Sequence, residues 1–319
     1  MRTVSVYRFE AEQLELPIIM IPSPMLLPQT PLRSADLEPD MYYYVQPKYD
    51  GVRCKFHEGR PYSRAGKEFP NVALREALVK TYADSPWKGL DLDGELMFWN
   101  PATNWWAPFN AVQSWVMTKT SVMDAGTDTM WRYVIFDVML PRTVFHSRWQ
   151  RIVGASEGHS YMNRFLLAPT DWTATALVEG VCNKYIALGY EGAVVRNPYG
   201  NYKNGRATYA QHNIYKWVEW LRDEARVVGW EELQHNLDTS TSCVSNMMAG
   251  DMLGALVVES EKFGRFNIGT GFTEAQRRSF WGERASLTGR VVTFKYRPGH
   301  VKIAPCPAVF VGFRSAVDM

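Results

Sequence analysis

No apolar run in these 319 residues is long enough to cross a bilayer. The greasiest stretch, LPIIMIPSPMLLP at 16–28, is cut by four prolines. The opening residues MRTVSVYRFE lack the apolar segment of a signal peptide. A cytoplasmic chain without membrane contact is the expectation. Cysteines are few and scattered, at Cys54, Cys182, Cys243 and Cys306, with no CxxC pair. That argues against a zinc ribbon and against a disulfide scaffold. The histidines are isolated and no HExxH occurs. Charge of one sign is also lacking: the formal net charge of +2 excludes a bulk polycation. Basic residues instead cluster. Arg53, Lys55, Arg60, Arg64 and Lys67 form one group, and Arg196, Lys203, Arg206 and Lys216 another. A third runs from Lys262 to Lys302. Such groups either track phosphates or form a solvated surface.

The length suits two domains. YYYVQ (42–46) reads as a strand, PKYDG as a turn, and VRCKF (52–56) as a second strand. Alternation puts Val52, Cys54 and Phe56 on one face and Arg53 and Lys55 on the other. Helices are predicted over 71–84, 109–118 and 175–189, the last stopped by Gly189. Strands are predicted over 91–99, 132–140, 191–198 and 213–220. Asp93 and Glu95 share a face in the first of these. After Arg222 the texture becomes β-rich, with one helical segment over 273–285. Five or so short strands and a helix fit a small Greek-key barrel of the OB type. The expected division is 1–224 and 225–319, an α+β domain of antiparallel sheets with flanking helices followed by the barrel. The polar run 236–246 reads as a loop.

The densest chemistry sits in QPKYDGVR (46–53). A lysine is ordinarily protonated and is no nucleophile. Nearby cations, a metal or desolvation can free it to attack phosphorus. Alone, KxDGxR reads more often as a surface hairpin than as a site. Other stretches add to it: SRAGKEFP (63–70), LDGEL (92–96), Phe136–Asp137, EGAVVR (191–196) and YKW (215–217). Lys216 shares the apolar face of Ile214 and Val218, which carries it inward. An inward lysine is costly unless it meets an anion, and a phosphate meets that need.

In this order the segments resemble the motifs of covalent nucleotidyltransferases, and among them the ATP-dependent DNA ligases of small bacteriophage type. PMLL (24–27), FNAVQSWVMT (109–118), IGTGFTEAQRR (268–278) and AVFVGFR (308–314) are similar to ligase sequence as well. The likeness spans roughly residues 22–314. It implies a nucleotidyltransferase (adenylation) domain and an OB-fold domain. The implied reaction seals 5′-phosphate/3′-OH nicks in duplex DNA through a lysyl–AMP enzyme and a 5′-adenylylated strand, using ATP and Mg²⁺, with Mn²⁺ as substitute. Lys48 is then the nucleophile, with Arg53 and Lys216 as further catalytic cations. Gln46, Arg64, Glu95, Phe136 and Arg314 join these three in holding the nucleotide. Glu95 takes the ribose role, Phe136 stacks on adenine, and Arg314 orients pyrophosphate. Glu191, with Glu95, is implied as the metal-binding carboxylate.

Three positions depart from the family pattern. Gln46 stands where many members carry Glu, although its oxygen can still accept from an adenine amino group. The usual KxK of the fifth motif reads Lys216–Trp217–Val218. Arg314 is followed by SAVDM, without the usual acid–Lys pair. Only 47 residues precede Lys48, too few for a helical DNA-binding domain or a nicotinamide-recognising one. A monomer clamping nicked duplex DNA is the expectation. A capping-type guanylyltransferase, an RNA ligase or a silent nucleic-acid-binding protein are the alternatives.

Overall fold

The computed structural model describes residues 21–119, 130–157, 164–236, 247–297, 304–305 and 307–314. Cys306, the first 20 residues and all of the polar run 236–246 except Asn236 lie outside them.

In chain order the first part comprises β1 (Met25–Leu26), β2 (Tyr42–Lys48), β3 (Val52–His57), β4 (Arg60–Ser63), α1 (Val72–Ala83), β5 (Leu92–Asn100), β6 (Trp105–Trp106) and α2 (Phe109–Val116). Then come β7 (Trp131–Val138), α3 (Phe145–Ser156), β8 (Phe165–Leu167), β9 (Asp171–Ala174), α4 (Thr175–Ala187), β10 (Gly192–Arg196), β11 (Gly205–Arg206) and β12 (Ile214–Val218). One sheet has the order β4-β3-β5-β7-β8, and the other β12-β10-β2-β9.

Alternation along each strand divides the side chains between helix and cleft. In β2, Tyr43 and Val45 pack with Val178, Cys182 and Tyr185 of α4. Tyr44, Gln46 and Lys48 take the opposite face. In β3 and β5, Cys54, Phe56, Leu92 and Leu96 pack with Leu74, Leu78 and Tyr82 of α1. Those three recur every fourth residue, which is one side of a helix. Asn71 caps α1 by accepting from the Leu74 amide at 3.0 Å. Burying both outer faces under helices leaves the inner faces to form a cleft.

Two readings change here. β2 runs through Lys48, so the turn is only Tyr49–Asp50–Gly51. Gly51 is needed there for space: an added Cβ would fall on the Leu96 carbonyl oxygen and the Met97 sulfur. Helix α3, unpredicted, buries Phe145, Arg148, Trp149 and Ile152, a spacing of three, one and three that is helical.

The second part comprises β13 (Leu221–Asn236), β14 (Met247–Ser260), β15 (Gly264–Ile268), α5 (Glu274–Gly282), α6 (Arg284–Leu287), β16 (Val291–Tyr296) and β17 (Val309–Phe313). Its sheet has the order β15-β14-β13-β16-β17 around a core that includes Leu256, Val258, Ile268, Val292 and Phe294. Thr273 and Gln276 form a capping box that starts α5. The sheet is OB-like, but among the described residues it is no closed barrel. A single bridge from Thr270 to Val309 ties its two edges. Nor are its strands all short: β13 has 16 residues and β14 has 14, kept in register through bulges.

Candidate active site

Strand register builds the site. Gly192 of β10 lies opposite Lys48 of β2 and opposite Val218 of β12. Val194 is likewise opposite Gln46 and Lys216. Directly paired residues point to one face. The second sheet contributes Arg53, paired with Glu95, and Asp93, paired with Asp137. Between the sheets lies a cleft of about 280 Å³. Gln46, Lys48, Arg53, Arg64, Glu95, Phe136 and Lys216 all line it.

Lys48 ends its strand at the mouth of the cleft. The next residue, Tyr49, turns into an aromatic nest with Trp106 and Tyr190, at centroid distances of 6.1 and 5.3 Å. That packing anchors the turn. The Lys48 ammonium pairs with Oε2 of Glu191, whose side chain is only 5% exposed. Glu191 therefore sits beside the nucleophile candidate, and its Oε1 accepts from Arg297.

Arg53 is held rigidly. Its Nε and Nη2 each donate to Asp93 at 2.6 Å, and Nη2 also donates to the Met25 carbonyl at 3.0 Å. Burial works against its charge, but Asp93 outweighs burial and raises its pKa. The guanidinium lies 4.6 Å from the centroid of Phe136. Phe136 thus forms cleft wall and packs only partly into the apolar cluster of Tyr49, Met97 and Val134.

Behind Phe136 is a buried ionic network. Asp137 accepts from Arg148 Nε at 2.8 Å and from Arg196 Nη1 at 2.8 Å. Arg196 Nε donates to Gln46 Oε1 at 2.7 Å. Gln46 Nε2 in turn donates to Thr170 Oγ1 at 3.1 Å and the Phe136 carbonyl at 3.3 Å. Both amide hydrogens are used, so the free capacity of Gln46 is an acceptor lone pair.

Burial pushes the Glu95 carboxyl up to about 7, with Arg53 and Lys48 opposing and the charges of Asp93 and Glu191 adding. A carboxyl in this state can donate to or accept from a hydroxyl. The raised pKa also makes a stability prediction. The folded chain holds this proton more tightly than the unfolded one, so stability falls as pH rises from the ordinary carboxylate range through about 7. Glu95→Gln removes the penalty. It should unfold later than wild type at ~pH 8, by on the order of 1–3 kcal/mol, and match it near ~pH 4. Scanning calorimetry at both pH values checks this, and a gap independent of pH would refute it. Lys216 is lowered by burial first, then by the charges of Arg297 and Lys48.

Arg314 is not brought into the cleft. It is exposed and donates to Glu224 Oε1 at 2.5 Å. Asp93, Asp137, Arg196, Arg206 and Arg297 line the cleft without having been singled out as site residues. Asp93 and Arg196 stood inside recognised motifs: alternation puts Asp93 on the face of Glu95, and Arg196 on the face of Gly192 and Val194, opposite Lys48 and Gln46. Arg297 comes from the second part of the chain, where the sequence showed only a basic group and no motif.

Known proteins resemble this chain in both of its parts. Residues 24–217 match the family described as ATP dependent DNA ligase domain. The chain belongs to the ATP-dependent DNA ligase family. Its members form phosphodiester bonds and use ATP. Residues 247–314 match the DNA ligase OB-like domain. DNA ligase 4 of Aspergillus fumigatus is 24% identical over 197 residues, which is 54% of this chain and 20% of that protein. The chain thus spans about a fifth of the length of that relative. A Lig E DNA ligase structure is 20% identical, covers 92% of this chain and 100% of its own, and has a TM-score of 0.68. Chlorella virus DNA ligase-adenylate is 24% identical, covers 93% of this chain and 99% of its own, and has a TM-score of 0.53. Both share the fold across both parts of the chain.

Proposed function

We propose that this chain seals 5′-phosphate/3′-OH nicks in duplex DNA through an AMP carried on Lys48. The observation that carries the reading is the Lys48–Glu191 pair at the mouth of a cleft lined by Arg53, Arg64 and Lys216. Lys48 gives its proton to the neighbouring carboxylate and thence to water. Its Nζ then attacks the α-phosphorus of ATP, an N–P bond forms, and the bond to pyrophosphate breaks. A 5′-phosphate oxygen at the nick next displaces Lys48 from that phosphorus. Finally the 3′-OH loses its proton, attacks the 5′-phosphorus and releases AMP. Arg53, Arg64 and Lys216 offset the phosphate charge, which is most of what such transfers require. Phe136 offers a face to the base, and Glu95 meets the ribose hydroxyls. The acceptor left on Gln46 suits the amino group of adenine and repels the carbonyl of guanine. Arg314 reaches pyrophosphate only by leaving Glu224.

Mg²⁺, or Mn²⁺ in its place, would be held by Glu191 with Glu95 behind it and would neutralise phosphate oxygens. Among the described residues no cluster of three His, Cys, Asp or Glu forms a cage. That fits an ion that arrives on the nucleotide, since Mg²⁺ keeps waters and uses one or two carboxylates plus phosphates.

The domains divide at 224/225, inside β13. The chain acts as a monomer in the cytoplasm, and no helix among the described residues is long and apolar enough to cross a membrane. Contacts to duplex DNA are mainly to phosphates, so binding is sequence-tolerant and salt-dependent. Affinity for a nicked duplex should fall on the order of a thousandfold between ~50 and ~200 mM salt. Fluorescence anisotropy with two unrelated nicked sequences measures it. A flat salt response, or strong preference for one sequence, would count against the reading. Equal sealing of nicked RNA would move the substrate class.

A further inference from the structure

We infer that Arg297 supplies, from the second domain, the cation that Val218 does not provide at the phosphate site. The inference rests on the nucleotide-binding reading above and deepens it. Val218, Gly192 and Lys48 lie level on three adjacent antiparallel strands. Their side-chain directions therefore point to one face, with Val218 and Lys48 roughly 10 Å apart, two strand spacings. A lysine at that place would reach phosphates held near Lys48. Valine brings no charge.

Arg297 directly follows β16 and lines the same cleft. It donates from Nη1 to Oε1 of the carboxylate whose Oε2 holds Lys48. One carboxylate thus separates it from the nucleophile. Trp220, just beyond β12, supports the guanidinium with its ring at 5.1 Å. The Nε of Arg297 is buried and has no hydrogen-bond partner among the described residues. A buried donor without an acceptor is costly. An anionic oxygen satisfies it best, because charge-assisted bonds to guanidinium are the strong ones. The lowered pKa of Lys216, to which Arg297 contributes, agrees with a cation close by.

Arg297 then holds β- or γ-phosphate oxygens of the bound triphosphate as the pyrophosphate bond breaks. Arg297 comes from the second part of the chain, whereas the other cations that line the cleft come from the first.

The test is rescue at a distance. Purified chain, freed of AMP with pyrophosphate, is mixed with ATP and Mg²⁺, and the rate of AMP gain is followed by intact mass. Arg297→Ala should lose on the order of 100-fold in this rate. Arg297→Lys should lose less. Val218→Lys placed in the Arg297→Ala chain should recover most of the loss, while Val218→Lys alone should change little. Reversal by pyrophosphate should slow in Arg297→Ala and recover in the double variant. Unfolding midpoints of all variants show whether the fold is kept. Midpoints that stay level across the variants exclude a repaired fold as the cause of rescue. A wild-type rate in Arg297→Ala overturns the inference, as does a loss that Val218→Lys fails to restore. If the wild type gains no AMP at all, the nucleotide reading itself falls and this inference with it.

Discussion

Lys48→Ala should gain no AMP from ATP, whereas the wild type should gain one per chain. The substitution removes the only group proposed to form the N–P bond, so no slower route through the same site remains. The fold should survive. The Lys48 side chain is 19% exposed at a strand end, and Glu191 keeps Arg297 as counter-ion when the lysine is gone. Buried charge is therefore not stranded. Intact mass reports the label, and circular dichroism reports the fold. Nicked DNA whose 5′-phosphate already carries AMP should still be sealed by the variant, because the last transfer does not use the lysine nitrogen. Labelling retained in Lys48→Ala would remove Lys48 from the reaction. A gain of GMP in the wild type, instead of AMP, would move the reading to a capping-type enzyme. Gain of neither would leave a nucleic-acid-binding protein.

Asp137→Ala should destabilise the chain by about 3–5 kcal/mol, the cost of breaking a buried ion pair by removing one partner. Here the cost is concentrated. Asp137 is fully buried and its carboxylate is the anion between two buried guanidiniums, Arg148 and Arg196. Burial alone would raise its pKa, yet the two arginines and the Val138 amide hold it below the ordinary value. Without it, Arg148 keeps carbonyl partners at Thr143 and Gly200, but no anion faces its charge in this network. Total stabilities run only ~5–15 kcal/mol, so the thermal midpoint should drop by on the order of 10 °C. The effect extends to the cleft. Arg196 orients Gln46, and Gln46 is bonded to the Phe136 carbonyl, so base selection should loosen as well. Asp137→Asn, which keeps the shape and one acceptor, should fall between. Calorimetry, with ATP and GTP labelling compared in parallel, checks both parts. An unchanged midpoint would mean the arginines find other anions.

Much of the architecture was legible before any coordinates. Alternation in VRCKF sent Cys54 and Phe56 to the core and Arg53 and Lys55 to the cleft side, because a strand has a period of two. Helices with apolar residues three and four apart were legible for the same kind of reason, and α3 could have been read from Phe145, Trp149 and Ile152. The paired strand β9, only four residues long, was not, since its pairing with β2 is made by partners more than a hundred residues away. The openness of the second sheet and the length of β13 and β14 likewise depend on pairing, which local propensity does not report.

The sequence by itself marked the family, and with it the residues proposed for the chemistry: a lysine to attack phosphorus and the cations beside it. These are local facts, written in QPKYDGVR, LDGEL and EGAVVR. Tertiary structure alone decided the company each group keeps. It made Asp137 a buried anchor for Arg148 and Arg196, gave Glu95 a pKa near neutrality by burial, and left Arg314 on Glu224 outside the cleft. It also brought Arg297 across from another domain to the carboxylate that holds Lys48. Charge interactions fall with distance and rise as water leaves, so their outcome depends on positions in space that no stretch of neighbouring residues encodes.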